Sequence, residues 1–370
     1  MIRTGASRRT RAGLVALVAL VLTSALVVRA LSAFDWDVTV FASFGAEGPT
    51  RAYAEERLGE VVLRGDLGHD GKYFFVQAND PWLLEPGDNA EILDFPIYRS
   101  QRMFYPLLAG GFGLFGPETI VWGLLVVNVA AMALGTLGAA RLARSLGGSS
   151  WWGLAFLGNL GLIFTLTIDS AGIVAAACAI WAVALVYEGR IAPAVGLLTA
   201  ATLTREVMLL CGAGVAVWLW TEGRRRQALY AGGIPFLLLA VWEAYLRLRL
   251  DADEPGVGAI GPPLVGLVKA IPEWADDSVV LATGLLVIGL SILFVMRWWP
   301  SRTPLGWAFV GFVPLGLVLT DKVWIPYFDF TRALAPLFTA AILLVFVESR
   351  SGRRRQEFVS VGPGRSRGGG

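Results

Sequence analysis

The stretch from Gly13 to Ala33, GLVALVALVLTSALVVRALSA, decides the fold. It contains no acid and a single base, Arg29, near its far end. A helix needs about 20 mostly apolar residues to cross a bilayer, and this run is that long. From the last turn, a side chain as long as that of Arg29 reaches the polar interface. The preceding residues include Arg3, Arg8, Arg9 and Arg11. A basic head followed by an apolar middle also describes a cleaved signal peptide. More apolar runs follow, however, which favours a retained signal-anchor helix.

Composition extends this reading to the whole chain. Apolar residues make up 55% of 370, charged residues 16%, and mean hydropathy is +0.62. A soluble domain carries about a quarter charged residues, so a soluble enzyme, a disulfide-stapled secreted domain and a disordered chain are all excluded. Cys178 and Cys211 lie inside apolar runs and read as small buried hydrophobes. The single histidine, His69, leaves no His-based metal cluster. An all-α polytopic membrane protein is expected.

Further candidate spans are 117–140, 151–168, 170–187, 191–202, 207–220, 228–248, 279–296, 304–319 and 324–347, giving about ten crossings. Basic residues cluster at alternate ends: Arg141 and Arg144, Arg190, Arg224 to Arg226, Arg297 and Arg302, then Arg350 and Arg353 to Arg355. Segments 34–102 and 251–277 are acidic. The positive-inside bias then puts both termini in the cytoplasm and the acidic loops outside. The expected organisation is a basic cytoplasmic N-terminus (1–12), a membrane domain (13–348) with a first outer loop at 34–102, and a disordered cytoplasmic tail (349–370). The tail is rich in Arg, Gly and Ser, with little that could form a core. Two pairs of runs are short and divided by polar residues, at Asp169-Ser170 and at Thr202-Leu203-Thr204-Arg205-Glu206. These read as helical hairpins whose tips face a cavity, because broken helices at membrane depth must be buried in protein or line water.

The outer loop is far longer than a connection requires, and long ordered loops usually carry function. It contains Gly68-His69-Asp70-Gly71-Lys72-Tyr73-Phe74-Phe75 and, later, Tyr98-Arg99-Ser100-Gln101-Arg102-Met103-Phe104-Tyr105-Pro106-Leu107-Leu108. An acid beside glycine, followed by aromatics, fits a turn at the membrane interface with its carboxylate facing a polar acceptor. It equally fits a surface turn with an N-capping aspartate. Asp35-Trp36-Asp37, just beyond the first span, is the rival acidic site, and its plain reading is acids in headgroup water around an interfacial Trp36.

The two loop motifs together resemble the first loop of GT-C membrane glycosyltransferases. They are similar to the Trp-Asp-Gly/Ser and Phe-Pro-Leu-Tyr-Pro arrangement of mannosyltransferases in the glycosylphosphatidylinositol pathway. They look closer still to bacterial membrane proteins linked to cell-surface glycopolymer formation, which carry Tyr-Asp-Gly-Gln-Phe-Tyr-Tyr and Tyr-Arg-Tyr-Gln-Arg-Ile-Leu-Tyr-Pro-Leu-Leu. Here His69 replaces the aromatic and Lys72 the amide. Leu203-Thr204-Arg205-Glu206 resembles a Leu-Thr-Arg/Lys hairpin-tip motif of these families, and Asp35-Trp36-Asp37 the acidic pair of protein O-mannosyltransferases and aminoarabinose transferases. The resemblance covers about 14–220.

It implies a polyprenyl-phosphate sugar donor, a glycan, lipid or protein acceptor on the outer side, and a loop carboxylate as base. Asp70 is the expected base, and a single base with a phosphate leaving group implies inversion. Asp35 and Asp37 are alternatives, as the base or as contacts to the acceptor or to a divalent ion such as Mg²⁺ or Mn²⁺. The lipid phosphate calls for cations, and Arg102, Arg205, Lys322 and Arg332 are the candidates. Arg205 is the most telling, because an ionised side chain in an apolar hairpin costs about 2.5–3.5 kcal/mol. Glu206 is its possible neutraliser. Asp329 and Arg332 share a helix face at i and i+3, as a surface ion pair or a substrate contact. Asp169 is either part of the site or a helix N-cap. His69, Lys72, Tyr73 and Tyr105 are supporting residues. A bacterial inner (plasma) membrane is the expected location, with the bilayer and lipid-linked sugar as partners and no nucleic acid. A transporter or flippase of lipid-linked sugars, or a non-catalytic envelope-glycan assembly partner, are the other readings.

Overall fold

The computed structural model describes residues 3–250 and 258–348. The expected tail, 349–370, lies outside the described residues, as does 251–257 of the second acidic segment. Among the described residues the chain is helical with no strand. Its only sheet-like contacts are isolated bridges, Phe44 to Leu63 and Ile260 to Leu319. Among the described residues, four helices are long and apolar enough to cross a membrane: Arg11–Ser32, Pro117–Ser145, Arg225–Leu250 and Ser278–Trp299. At 1.5 Å per residue, even the 22-residue helices span about 33 Å, the thickness of a bilayer's hydrocarbon core. Their outward faces are apolar: Leu14, Val21 and Val28 on the first, Leu229, Phe236 and Val241 on the third. Such surfaces would be costly in water and suit lipid. Two bent pairs raise the number of candidate spans to six. The molecule therefore fits a polytopic membrane protein.

The Pro117–Ser145 helix is the central post. Gly135 faces the Phe156 ring and Gly138 the Trp181 indole, and Trp181 Nε1 donates to the Leu134 carbonyl at 2.7 Å. Against it lies Gly172–Tyr187, whose run of alanines is buried almost throughout. Small side chains allow this close approach between helix backbones.

The two bent pairs lock into each other. Ser150–Leu157 and Leu160–Thr167 meet at 50°, and Tyr327–Ala333 and Ala335–Val347 at 64°. At the first bend the Asn159 side chain accepts from Gly161 N at 3.1 Å and donates to the Ala335 carbonyl at 2.7 Å and to Thr339 Oγ1 at 3.1 Å. Gly161 lies directly on the Thr331 carbonyl, where a Cβ would collide. One buried amide thus caps the second helix of the first pair through Gly161 N and ties it to the start of Ala335–Ile342. Asn159→Leu removes three hydrogen bonds and is expected to cost about 2–4 kcal/mol, read as a lowered unfolding midpoint in detergent. An unchanged midpoint would mean that the bends hold without Asn159.

Several expectations are corrected. The apolar run 324–347 is not one helix but Asp321–Trp324, Tyr327–Ala333 and Ala335–Ile342 in sequence, broken by Pro326 and by the turn at Leu334 before Pro336. The run 304–319 divides into Pro304–Val310 and Phe312–Val318. The N-terminal segment continues the first helix, which starts at Arg3. The outer loop is a packed cap of short helices (Thr39–Ala42, Pro49–Leu58, Gly71–Asn79, Gly87–Ile92 and Pro96–Ser100) around buried Phe41, Phe44, Tyr53, Phe74 and Phe75. The second acidic segment contains an unexpected helix, Val265–Ala275, which buries Ala270 and Trp274 and exposes Val268 and Ile271. An amphipathic helix with an exposed apolar face suits the membrane interface.

Candidate functional site

Asp70 opens the Gly71–Asn79 helix, and two glycines fix its position. Gly68 takes φ +65°, and a Cβ there would strike the Ser43 carbonyl. At Gly71 a Cβ would meet the carbonyls of Ala42 and Ile168, so the loop lies flush on the Asp169 hairpin tip. Gly71→Ala is expected to destabilise by about 1–3 kcal/mol, read as a lowered unfolding midpoint. A wild-type midpoint would show that the backbone contacts yield freely.

The Asp70 carboxylate does not cap its helix. Instead it forms an ion pair with Arg332 through Oδ2 and one with Arg99 through Oδ1 at 3.1 Å. Ser170 Oγ lies 3.3 Å from Oδ2 and 3.2 Å from Arg332 Nη2. The Asp70 side chain is 20% exposed and that of Arg332 12%. Burial alone would raise the Asp70 carboxyl, but Arg332, Arg99 and Arg102 outweigh it and hold it far below the usual carboxylate range. A carboxyl depressed in this way stabilises the fold above its unfolded value of about 4 and loses that contribution only as pH falls through the folded value. The contribution is therefore constant between pH 5 and 8. Asp70→Asn is expected to lower stability by about 1–3 kcal/mol by the same amount at pH 5 and pH 8. A loss confined to one end of that window would contradict the pairing.

Other ion pairs extend the cluster. Arg99 grips Asp94 with two bonds, at 2.8 and 2.9 Å, and its guanidinium lies 4.1 Å from the Tyr73 ring centre. Tyr73 completes the brace with its hydroxyl on Asp94 at 3.0 Å. Arg332 also pairs with Asp329 at 3.3 Å, so the expected i, i+3 pair forms but one guanidinium serves two acids. Arg102 pairs with Glu206 at 3.3 Å and donates to the Tyr98 hydroxyl. Arg205 does not pair with Glu206. Its Nη1 donates to the Arg332 carbonyl at 3.2 Å, and among the described residues no carboxylate lies within salt-bridge distance of it. The physical reason is the break in the helix: Arg205 is extended at φ −149°, which turns the two neighbouring side chains apart.

Asp169 caps no helix. It is fully buried at φ +40°, with Oδ1 accepting from Asn128 Nδ2 at 3.3 Å. The same nitrogen meets the Tyr105 hydroxyl at 2.7 Å, and that hydroxyl donates to the Leu124 carbonyl at 2.9 Å. Asp169 and Tyr105 thus pin the hairpin tip to the central post and place Ser170 against Asp70. His69 packs edge-on to Phe328, and burial followed by Arg332 lowers its pKa. Lys72 turns its ammonium onto the Leu67 carbonyl and over the Tyr73 ring, 4.7 Å from its centre, and forms no salt bridge with Asp70 or Asp94.

Three candidates stand apart from the cluster. Lys322 is exposed on the Asp321–Trp324 helix, because Trp324 takes the inward position against Trp274. Asp35 is exposed, and Asp37 accepts from Thr39 N at 2.8 Å just before the Thr39–Ala42 helix. Neither acid shares an ion pair or hydrogen bond with Asp70. Asp37 accepts from a backbone amide through Oδ1, while Asp70 and Asp94 are paired with guanidinium groups. Among the described residues no three His, Cys, Asp or Glu side chains converge. Arg99, Asp94, Ser170 and Asn128 were not anticipated as site residues. Arg99 had one available signal, its place inside the second loop motif. Asn128 had none beyond being an amide in an apolar helix.

Chemically, the arrangement offers four carboxylates, Asp70, Asp94, Glu206 and Asp329, and four guanidinium groups from three separate segments, of which Arg205 alone has no carboxylate within salt-bridge distance. No protein-family model, curated protein or solved structure matches the chain.

Proposed function

We propose that this protein is a GT-C-type membrane glycosyltransferase, moving a sugar from a polyprenyl-phosphate donor to a cell-envelope acceptor on the outer side of a bacterial plasma membrane. The observation that carries the reading is the meeting of Asp70 with Arg332 and Arg99, while Arg205, anchored on the Arg332 backbone, has no acid partner. The four long helices, the two bent pairs and the four shorter apolar segments, Gly172–Tyr187, Ile191–Thr204, Glu206–Thr221 and Pro304–Val318, are each taken as one crossing, about ten in all, of which length and composition support four to six. With the alternating basic ends, both termini are cytoplasmic.

The acceptor oxygen attacks the anomeric carbon, its proton passes to Asp70, and the polyprenyl phosphate departs, inverting the configuration. A carboxylate held by two arginines is a poor base. Arg332 must therefore exchange partners, taking the incoming phosphate beside Arg205 and leaving Asp70 with Arg99. Guanidinium binds phosphate in a bidentate fork, so the donor itself prepares the base.

The test is reconstitution in vesicles with polyprenyl-phosphate sugars and an acceptor. A new glycosidic product, identified by mass spectrometry, supports transfer. A sugar that changes sides without a new bond would establish the flippase reading instead.

A further inference from the structure

The hairpin tip that seats Ser170 against Asp70 carries a buried carboxyl, Asp169, whose hydrogen bonds do not balance. Asp169 and Asn128, on the post helix, are both 0% exposed. The Tyr105 hydroxyl lies 2.9 Å from the Leu124 carbonyl and spends its one hydrogen there. It can therefore only accept from Asn128, which places the nitrogen of that amide, not its oxygen, on the Tyr105 side. Asn128 Nδ2 has two hydrogens, and they go to Tyr105 at 2.7 Å and to Asp169 Oδ1 at 3.3 Å. Two oxygens remain, Asp169 Oδ2 and Asn128 Oδ1, each buried with no hydrogen-bond partner within the protein.

Neighbouring donors are committed elsewhere. Asp169 N and Ser170 N turn back onto the Leu166 and Thr165 carbonyls at 3.4 and 3.1 Å, and Ser170 Oγ reaches Asp70 Oδ2. Nor does a cation offset the carboxyl. Besides Tyr105, the titratable and charged groups around the tip are Arg64, with Nη1 on the Thr167 carbonyl at 3.1 Å, Arg205 on the Arg332 carbonyl, and the Arg332–Asp70 pair beyond Ser170. Each is engaged there, and among the described residues none is within salt-bridge distance of Asp169. An ionised carboxylate in such a place is so costly that neutralisation is the usual outcome. Ionised, the acid offers only acceptors. Protonated, it gains one O–H donor, the single donor that these two oxygens lack.

We propose that Asp169 is held as a neutral carboxylic acid, its Oδ2 proton directed at Asn128 Oδ1, and that this proton latches the hairpin tip so that Ser170 stays on Asp70 and Arg332. Asp169 is then a positioning residue, acting on the site only through Ser170. Loss of the proton leaves two buried acceptor oxygens with no donor between them, and the tip must open to hydrate the carboxylate. The unfolded chain releases this proton at about pH 4. The folded chain keeps it above that pH, so stability falls as pH rises. This is unlike Asp70, whose contribution is constant from pH 5 to 8. Neither the proton nor the latch depends on the transferase reading.

The experiment compares the full chain with Asp169→Asn, both in a detergent without ester groups. The amide keeps the shape and supplies an N–H where the acid supplies its O–H, so the variant is expected to fold. Infrared difference spectra at pH 7 should show the carbonyl band of a protonated carboxyl in wild type that Asp169→Asn lacks. Between pH 5 and 8 the folded-to-unfolded ratio of wild type, from reversible denaturant titration, is expected to fall relative to the variant by about tenfold per pH unit. Hydrogen exchange at the Ser170 amide, corrected for its intrinsic rate, should follow the same slope, since opening of the tip alone lets the carboxyl ionise. A difference spectrum without the band, or a stability difference that is constant across the window, overturns the proposal and assigns to the tip an ionised carboxylate bridged to Asn128 by water. Protection at Ser170 that stays level against the variant while the stability ratio falls overturns the latch. Should Asp169→Asn not fold, Asp169→Leu takes its place in all three comparisons, with the same band and slope expected.

Discussion

Asp70→Asn is expected to lower sugar transfer by about a thousandfold, within the range for loss of a general base. The amide keeps the shape, its one oxygen accepts from either Arg99 or Arg332 while its NH2 faces the other guanidinium, and it cannot take a proton. Its cost to folding is the modest one given above, so purified variant of normal size and monodispersity separates lost chemistry from lost structure. The assay is initial rate with a polyprenyl-phosphate sugar at saturating donor. A rate within a factor of two of wild type would remove Asp70 as the base and leave it as the anchor of an ion-pair network. Because Arg332 must leave Asp70 for the phosphate, the acid limb of the wild-type rate should lie at higher pH in the donor complex than the paired carboxyl of the free protein would allow.

The second large effect is on donor binding. Arg205→Ala is expected to weaken binding of a polyprenyl phosphate by about 10- to 100-fold, the size of a lost charge-assisted hydrogen-bond pair. The reason is that Arg102, Arg99 and Arg332 each already form an ion pair with a carboxylate, whereas Arg205 bonds the Arg332 carbonyl and has no carboxylate within salt-bridge distance. It is therefore the cation that an anion gains most by meeting. Titration of the reconstituted variant with polyprenyl phosphate measures this. An unchanged affinity would return Arg205 to the role of tying the hairpin tip to the Tyr327–Ala333 helix.

Much of the arrangement was legible because it is written in local chemistry. Apolar length marked the spans, and the polar breaks at Asp169-Ser170 and at Arg205 were visible as interruptions of those runs. Asp70 stood out through its glycine neighbours, which the backbone contacts at Gly68 and Gly71 explain. Pairing was not legible. Glu206 adjoins Arg205 in sequence yet neutralises Arg102, more than a hundred positions away. Asp329 is three residues from Arg332, but that guanidinium also reaches Asp70 across 262 positions. Lys322 looked equivalent to Arg332 as an outer cation until the inward turn of Trp324 left it exposed.

By itself the sequence determined a helical chain with apolar runs long enough to cross a membrane and a long acidic loop, because hydropathy over some twenty residues is a property of a segment and needs no partner. Only the tertiary structure decided which charge meets which. Ion pairing acts across a few ångströms, and those ångströms are set by where two bent helices interlock at Asn159 and where a glycine-lined loop settles on a hairpin tip.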